Sequence, residues 1–332
     1  RVGGGAVARG PELGVAWAGG AAGVRGLGGA GFGPGPVEVT AGGDLACGGR
    51  GRNPAAGVQR LRRDGAAAAF VALHGPYGED GVIQGFLRVL RVPFTGPDVE
   101  CAAIAMHKHA ARLLLADAGV PVAPGILLRR GDPLEAAGMA PPLVAKPCRL
   151  GSSVGVRLVT RADEVEPAVR AVWAMGQDCL LESYVPGVEF SCPVRDTSRG
   201  PEALPVVEIR PCAGREFFDY EAKYTPGQCE EIVRAGGEPW LAEMQALAVR
   251  CHALLGCRGF SRTDFIRGPA GPVVLEINAI PGLTEGSLLP KAAAAAGLTL
   301  GMLARDWVEQ ALAESGGIQA GTEARRPCEV RA

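Results

Sequence analysis

The chemistry-bearing residues with the clearest spacing lie near the C-terminal end of the chain, on two neighbouring apolar runs. Arg262 and Asp264 alternate on the first run, and Glu276 and Asn278 alternate on the second, after a turn at 267–271. Residues two apart on a strand share a face, so adjacent antiparallel strands would bring both pairs together. Two carboxylates and an amide oxygen are ligands suited to Mg²⁺. A solvated sheet face is the alternative, but the apolar surroundings of Glu276 favour a metal site.

A glycine- and serine-rich loop preceded by a lysine is the second candidate feature. Lys146 ends an apolar run, and the loop 149–155 reads Arg-Leu-Gly-Ser-Ser-Val-Gly. Glycines let backbone N–H groups approach an anion and serine hydroxyls add donors, which suits a polyphosphate, although a flexible hairpin tip is the commoner explanation for such a loop alone. Lys108 shares a helix face with apolar residues, so it fits either a snorkelling surface lysine or a second charge for nucleotide phosphates.

A glycine-rich turn that leads into a helix is the third feature. The segment 74–81 reads His-Gly-Pro-Tyr-Gly-Glu-Asp-Gly and follows a short apolar run. A helix N-terminus favours an anionic ligand, but acidic residues there also serve as ordinary caps. On its own, this segment supports either interpretation.

Alternating strand and helix patterns surround these candidates and place them at strand ends and in turns. A buried strand begins at Ala66, and Pro97 marks a domain boundary. The predicted helices span residues 79–90, 100–117, 162–175, 238–255 and 287–310. The later strands are predicted at residues 142–145, 155–159, 179–182, 189–194, 204–209, 258–266 and 272–277. Residues from about 314 onward read as a polar tail.

Composition excludes several classes of function. The 332 residues carry 34 Lys and Arg against 35 Asp and Glu, so no global charge recruits nucleic acid or an anionic membrane. The 10 cysteines contain no CxxC pair, which disfavours a zinc site. The first residues form no apolar signal region, and no run of about 18 apolar residues occurs, so we expect a cytoplasmic protein. Of the 50 glycines, 20 lie in the first 60 residues, and stretches such as 19–35 are poor at holding either helix or strand.

Taken together, these segments resemble the D-alanine:D-alanine ligases, a family of ATP-grasp enzymes. The similarity is nearly continuous from His74 to Leu289, and its order and spacing both fit. It rests on the motifs at residues 74–81, 108, 146–147, 151–155, 218–224, 262–264, 276–278 and 281–282.

The resemblance implies a mixed α/β and α+β ATP-grasp fold of three domains. These are an N-terminal α/β domain at residues 1–97, a central domain at 98–183, and a C-terminal domain at 184–314 with a mobile loop and the metal site. Residues 315–332 form the tail, and ATP lies between the central and C-terminal domains. A homodimer is also implied, with ATP and D-alanine as partners and no nucleic acid or membrane.

The resemblance also implies the role of each site residue. The ATP-binding residues would be Lys108, Lys146, Ser153, Glu182, Val185, Glu189 and Lys223. The ligands of two Mg²⁺ or Mn²⁺ ions would be Asp264, Glu276 and Asn278. The catalytic residues would be Arg262, Gly282, Glu12, Ser152 and Tyr224. The substrate-binding residues would be His74, Glu79, Ser287 and Leu288.

The implied reaction joins two D-alanines for peptidoglycan precursor synthesis. ATP converts the carboxylate of one D-alanine into an acyl phosphate, which the amine of the second attacks. Arg262 and the N–H of Gly282 would stabilise the charge that develops on the tetrahedral intermediate.

Several positions depart from the family pattern. The first motif keeps Glu12 but has Ala16 where the family has a serine, and His107 replaces the usual aspartate before Lys108. The lysine that normally follows Glu182 is Ser183, and the acidic residue common before the Gly-Ser-Ser loop is Leu150. A related ligase with another amine or hydroxy acid, and a nucleotide-binding protein with impaired catalysis, are therefore the alternative hypotheses.

Overall fold

The computed structural model describes three β-sheets with helices packed against them. It covers residues 2–6, 13–29, 31–39, 45–47, 50–63, 65–134, 138–211, 229–234 and 236–323. In this part of the chain, no helix combines the length and the apolar character needed to span a membrane.

The first sheet has five strands in the order β4-β3-β2-β1-β5. They are β1 Val2–Ala6, β2 Pro34–Val39, β3 Leu45–Cys47, β4 Arg50–Arg52 and β5 Ala68–Val71. Strand β1 pairs in parallel with β2 and β5, whereas β3 pairs antiparallel with β2 and β4. Helices α1 Leu13–Gly29 and α2 Pro54–Arg63 connect these strands.

Helix α1 corrects the expectation that this glycine-rich segment holds neither helix nor strand. Its glycines provide close packing: a Cβ at Gly23 would lie 2.8 Å from the ring of Phe70, and one at Gly26 would lie 3.3 Å from Leu300. Leu27 on the same helix is fully buried. Tertiary packing thus offsets the low helix propensity of glycine, which a count of glycines does not reveal.

Three helices follow, namely α3 Val82–Val89, α4 Val99–Met106 and α5 Lys108–Asp117. The single helix predicted over 100–117 is wrong, because the chain breaks at His107, whose φ and ψ are −93° and 85°. The His107 Nδ1 accepts a hydrogen bond from the Ala110 N–H at 3.2 Å and caps α5. The break makes Lys108 the first residue of a new helix.

The second sheet has four antiparallel strands in the order β6-β9-β7-β8. They are β6 Gly125–Leu128, β7 Leu143–Pro147, β8 Arg157–Val159 and β9 Cys179–Ser183. Helix α6 Val165–Ala174 packs on this sheet through Val169 and Val172, which are fully buried. The predicted hairpin around the glycine- and serine-rich loop is confirmed by the pairing of β7 with β8.

The third sheet is antiparallel and contains β13-β12-β10-β14-β15, with β11 paired to β10. Its strands are β10 Val188–Thr197, β11 Gly200–Ala203, β12 Val206–Pro211, β13 Cys229–Arg234, β14 Phe260–Gly268 and β15 Gly271–Asn278. Helix α7 Pro239–Leu254 covers one face and buries Met244 and Ala248 completely.

Helices α8 Leu288–Ala295 and α9 Leu300–Glu323 replace the single helix predicted over 287–310. Gly297, with φ of 75°, lies at the break, a conformation that glycine adopts readily. Helix α9 continues to Glu323, which lies within the segment 315–332 that was predicted as a polar tail. Trp307 on α9 lies 6.1 Å from Phe70 of the first sheet and 4.1 Å from Phe260 of the third, ring centre to ring centre, so both sheets share one apolar core.

Candidate active site

A cavity of about 410 Å³ lies between the second and third sheets. It is lined by residues of β7, β9, β10, β14 and β15, by Lys108 at the start of α5, and by the loop between β7 and β8. Eight of the predicted site residues line it together, namely Lys108, Lys146, Ser153, Glu182, Val185, Glu189, Asp264 and Glu276. Apolar walls with a few converging charged groups are typical of a nucleotide-sized ligand site.

Lys146 and Glu182 form a buried ion pair in this cavity. Strand β7 lies beside β9, with Val144 opposite Glu182 and Lys146 opposite Leu180. The Lys146 Nζ and Glu182 Oε2 are 2.6 Å apart, and the side chains are only 9% and 8% exposed. The Glu182 carboxylate, which is also buried, thus holds the Lys146 ammonium at the wall of the cavity.

Lys108 pairs with a predicted metal ligand. Its Nζ lies 3.0 Å from Glu276 Oε2 and donates a hydrogen bond to the Leu150 carbonyl oxygen at 2.7 Å. Burial alone would lower the pKa of Lys108, but the charge and hydrogen bond of Glu276 more than offset it and raise the pKa. Lys108 therefore carries its charge in the cavity, and the Leu150 backbone supplies an acceptor where the family's acidic side chain is missing.

The loop between β7 and β8 has a backbone suited to exposing N–H groups. Ser152 and Ser153 both have positive φ, at 58° and 56°, and Gly155 has φ of 75°. A Cβ at Gly155 would lie 2.8 Å from the Met175 sulfur, so this position has no room for a side chain. Backbone N–H groups in a turn of this kind can form a concave site for an anion. Ser153 lines the cavity, whereas Ser152 is not among its lining residues.

Asp264 is the centre of a hydrogen-bond network on β14. Arg262 opposes Asn278 and Asp264 opposes Glu276 across β14 and β15, as the alternating pattern predicts. The Asp264 carboxylate accepts Arg262 Nε at 2.8 Å, Arg262 Nη2 at 2.7 Å and Asn278 Nδ2 at 2.9 Å. Burial alone would lower the pKa of Arg262, but Asp264 raises it, so the guanidinium stays charged and fixed in orientation.

Ser191 is a member of this network that the sequence reasoning missed. It lies opposite Asp264 on β10, is fully buried, and its hydroxyl donates a hydrogen bond to Asp264 Oδ1. The period-two pattern of β10 contained the signal, since Ser191 lies two residues after Glu189 and so shares its face of the strand.

Asp264, Glu276 and Asn278 bring two carboxylates and one carboxamide together on β14 and β15. No cluster of three or more His, Cys, Asp or Glu side chains suited to a metal occurs in the described ranges. Asp264, Glu276 and Asn278 nevertheless offer hard oxygens, and Asn278 keeps its carbonyl oxygen free for coordination when its Nδ2 donates to Asp264. This donor set fits Mg²⁺, which takes its remaining ligands from water and phosphate.

The glycine-rich turn holds a second polar pair. The His74 Nδ1 and Glu79 Oε1 are 3.1 Å apart, and Glu79 Oε2 accepts the Gly75 N–H at 2.8 Å. His74 is buried, and its Nε2 has no hydrogen-bond partner in the described part of the protein. A buried ring nitrogen without a partner is costly unless a ligand satisfies it.

The start of α8 forms a third polar group. Ser287 occupies the N-cap position, and its hydroxyl lies 2.7 Å from that of Thr284. A Cβ at Gly282 would lie 2.7 Å from the Ser287 Oγ, so glycine is required for this close approach. Leu288 begins the helix, and its side chain is buried. The free N–H groups of this first turn favour a carboxylate.

Three predicted site residues, Glu12, Lys223 and Tyr224, lie outside the described residues. Apart from Ser152, which lies in the β7–β8 loop without lining the cavity, the other positions fall into the three groups above: the cavity with its Asp264 network, the His74 turn, and the start of α8.

Family models account for most of the chain. The model described as D-ala D-ala ligase C-terminus matches residues 114–309. The model described as D-ala D-ala ligase N-terminus matches residues 48–97.

Relatives and solved structures agree with these matches. A D-alanine–D-alanine ligase of Xanthobacter autotrophicus is 42% identical over 273 residues, covering 80% of this chain and 86% of the relative. One of Rhodopseudomonas palustris is 43% identical over 268 residues, covering 78% and 84%. The Bacillus anthracis ligase in complex with ATP has 27% identity and a TM-score of 0.77, covering 96% and 98%. The Coxiella burnetii ligase has 23% identity and a TM-score of 0.80, covering 97% and 96%, and supports the fold. The chain belongs to the D-alanine:D-alanine ligase family of ATP-grasp enzymes.

Proposed function

We propose that this chain joins two D-alanines at the expense of ATP, with the cavity between the second and third sheets as the nucleotide site. The observation that carries the proposal is the meeting of Lys108 and Lys146 with Asp264 and Glu276 in one cavity. Cations for phosphates and oxygen ligands for a metal are what phosphoryl transfer to a carboxylate requires.

ATP would lie along the cavity with its phosphates near α5 and the loop at 149–155. Lys108, Lys146 and Ser153 would contact the phosphates in this arrangement. Lys223, which lies outside the described residues, is assigned to the γ-phosphate by the resemblance alone. Glu182 and Val185 lie on the wall where the adenine would fit, and Glu189 accepts from the ribose hydroxyls. All the described members of this set line the cavity.

Asp264, Glu276 and Asn278 would hold two Mg²⁺ or Mn²⁺ ions. When bound, the ions offset phosphate charge and orient the transferred group. Ser191, Arg262 and Asn278 hold the Asp264 carboxylate in one orientation through hydrogen bonds. The network therefore fixes the orientation of the Asp264 carboxylate, and a metal ion that binds it would replace one of these hydrogen bonds.

The reaction would proceed in two steps. The carboxylate of the first D-alanine attacks the γ-phosphorus of ATP, the bond from that phosphorus to the β,γ-bridging oxygen breaks, and ADP leaves. The acyl phosphate that forms has an electrophilic carbonyl carbon. The neutral amine of the second D-alanine attacks that carbon, the bond to the phosphate oxygen breaks, and inorganic phosphate leaves with the proton that the nitrogen loses. Arg262, whose Nη1 is not among the atoms bonded to Asp264, and the Gly282 N–H stabilise the negative charge on the tetrahedral oxygen.

Separate polar groups would bind the two amino acids. His74 and Glu79, with Glu12, would bind the first D-alanine. Ser287 and the first turn of α8, including the Leu288 N–H, would bind the carboxylate of the second. Ser152 and Tyr224 would contribute to the polar network around the substrates. We further propose a cytoplasmic homodimer, for which light scattering at two protein concentrations is the test.

Phosphate release from Mg-ATP, measured with and without D-alanine, tests the function. We expect release to require D-alanine and to be lost in Arg262→Ala. Arg170→Ala is the matched control, because Arg170 is an exposed arginine of α6 paired with Glu166. Release without D-alanine, or equal rates in the two variants, would contradict the proposed role of Arg262. D-alanine-independent ATP binding without turnover would favour the hypothesis of impaired catalysis.

A further inference from the structure

Two cysteines distant in sequence lie in contact outside the active site. Cys101 is on α4, and Cys257 lies in the turn between α7 and β14. Their sulfur atoms are 3.4 Å apart, and the Cys101 thiol donates a hydrogen bond to the Cys257 sulfur. The two thiols are therefore neighbours, and a disulfide needs a shorter distance of about 2.05 Å between the sulfurs.

A chain of hydrogen bonds lies next to Cys257 in the protein interior. The Ser261 hydroxyl acts to lower the pKa of the Cys257 thiol and lies 2.8 Å from His252 Nδ1. The His252 Nε2 lies 3.2 Å from Asp196 Oδ1. Asp196 also accepts the Gly259 N–H at 2.7 Å. Burial would raise the pKa of Asp196, but its hydrogen bonds from His252 and Gly259 more than offset this and lower it.

This arrangement provides an acceptor for the Cys257 proton. With Asp196 ionised, His252 donates its Nε2–H to Asp196 and accepts from Ser261 at Nδ1, which fixes the tautomer. A proton that leaves Cys257 can pass through Ser261 to His252, and Asp196 stabilises the resulting imidazolium. Ser261 and His252 are buried, so the network has no access for a substrate and acts on the neighbouring thiol alone.

Exposure distinguishes Cys257 from the other thiols. Among the cysteines whose side chains the structure describes, Cys257 is partly exposed and the other five are buried. A small oxidant therefore reaches Cys257 before it reaches the buried Cys101, which is the second thiol of the pair. The hydrogen bond with Cys101 and burial raise the pKa of Cys257, so the thiolate depends on the proton relay.

We propose that Cys101 and Cys257 form a reversible disulfide when the protein reacts with a peroxide. The Cys257 thiolate attacks hydrogen peroxide, the O–O bond breaks, and the sulfur becomes a sulfenic acid. The released hydroxide takes the proton held by His252 and leaves as water. The Cys101 sulfur then attacks the Cys257 sulfur, the S–O bond breaks, and a second water leaves with the Cys101 proton. Two thiols lose two electrons in total, and one peroxide is reduced to two waters.

The disulfide would connect two segments that lead to the active site. Helix α4 runs into His107 and Lys108, and β14 carries Arg262 and Asp264 a few residues after Cys257. The cross-link closes a long loop between residues 101 and 257, which restricts the unfolded chain more than a short loop would. We expect the oxidised protein to unfold roughly 5 °C above the reduced protein.

Peptide mapping of the full chain after treatment with hydrogen peroxide tests the proposal. After alkylation and tryptic digestion, we expect residues 92–108 to be linked to residues 251–258, and dithiothreitol to reverse the link. The second peptide contains both Cys251 and Cys257, so Cys257→Ser must abolish the link and Cys251→Ser must keep it. Ser261→Ala should slow formation of the link by about 10-fold, whereas Ser261→Thr should not.

Two results would overturn the proposal. One is oxidation of Cys257 to a sulfinic acid with no link to Cys101, and the other is a link that persists in Cys257→Ser. An unchanged rate in Ser261→Ala would overturn the relay. Thermal unfolding of each variant under reducing conditions confirms that the variant is folded before peroxide is added.

Discussion

The buried pair of Lys146 and Glu182 yields a prediction that separates stability from nucleotide binding. We consider the change Lys146→Met, which keeps most of the apolar stem and removes the ammonium. The pair is 9% and 8% exposed with 2.6 Å between the charged atoms, so the variant leaves the Glu182 carboxylate buried without its cation. Removing one partner of a buried pair costs about 3–5 kcal/mol.

A double variant tests whether the uncompensated charge is the cause. Replacing a buried pair by apolar residues of similar volume is often neutral in stability, so Lys146→Met with Glu182→Met should recover most of the loss. ATP affinity should not recover, because the phosphates still lack their cation. We expect ATP to bind at least about 10-fold more weakly to both variants, as for the loss of one hydrogen bond to a charged group.

Stability is measured by hydrogen exchange of peptides that cover β7 and β9. Lys146 and Glu182 lie on these strands, so the exchange rates report the local stability of the second sheet. Calorimetric titration with ATP measures affinity. Arg170→Met is the control: its pair with Glu166 is 63% and 56% exposed, and pairs of this kind contribute about 0–1 kcal/mol. If the single variant exchanges like the wild type, or the double variant is as unstable as the single one, the reasoning about buried charge is wrong.

Three further predictions concern single positions. Thr263 is fully buried with a hydroxyl that has no partner in the described structure, so Thr263→Val should stabilise the protein by about 1 kcal/mol in urea unfolding; a loss would contradict this. Gly282→Ala would place a methyl 2.7 Å from the Ser287 Oγ, so D-alanine-dependent phosphate release should fall at least 10-fold at unchanged ATP affinity; Gly286→Ala, with its nearest atom at 4.0 Å, is the control. Burial and the charge of a nearby arginine lower the pKa of His107, so its contribution to stability is complete above pH 6.5 and is lost as pH falls below that value. The Tm of His107→Asn, which retains a capping acceptor, should fall less between pH 7.5 and 5.5 than the Tm of the wild type. An equal fall would exclude His107 as the cause of the pH dependence.

Local patterns predicted the parts of the site that lie on adjacent strands. Alternation on β14 and β15 placed Asp264 opposite Glu276, and the short apolar runs around the glycine- and serine-rich loop predicted the hairpin of β7 and β8. Two residues join β14 to β15, and nine join β7 to β8. The turn alone does not set the register of β14 and β15, because a register shift between Asp264 and Phe265 is what brings Glu276 opposite Asp264.

Contacts between distant segments were beyond the sequence. Lys146 meets Glu182 because β9 lies between β6 and β7 in the sheet and pairs with β7. Hydrophobic periodicity does not predict the order of strands in a sheet. The break at His107 was missed because the helical pattern continues across it, while the capping bond to Ala110 is a detail of side-chain geometry. Helix α1 was missed because its glycines pack against other elements, and propensity does not include that packing.

The ion pairs of the cavity have a consequence for how its ligands bind. Before any ligand is bound, Glu276 neutralises Lys108, so a metal at Glu276 must displace an ammonium and a phosphate at Lys108 must displace a carboxylate. Each ligand alone breaks the ion pair and removes the opposite charge from one partly buried side chain, which is costly. When nucleotide and metal enter together, each satisfies the group that the other has released. The pairing therefore favours joint binding over the binding of either ligand alone, and by linkage each must raise the affinity for the other. The cavity thus favours the metal–nucleotide complex, the form that phosphoryl transfer requires.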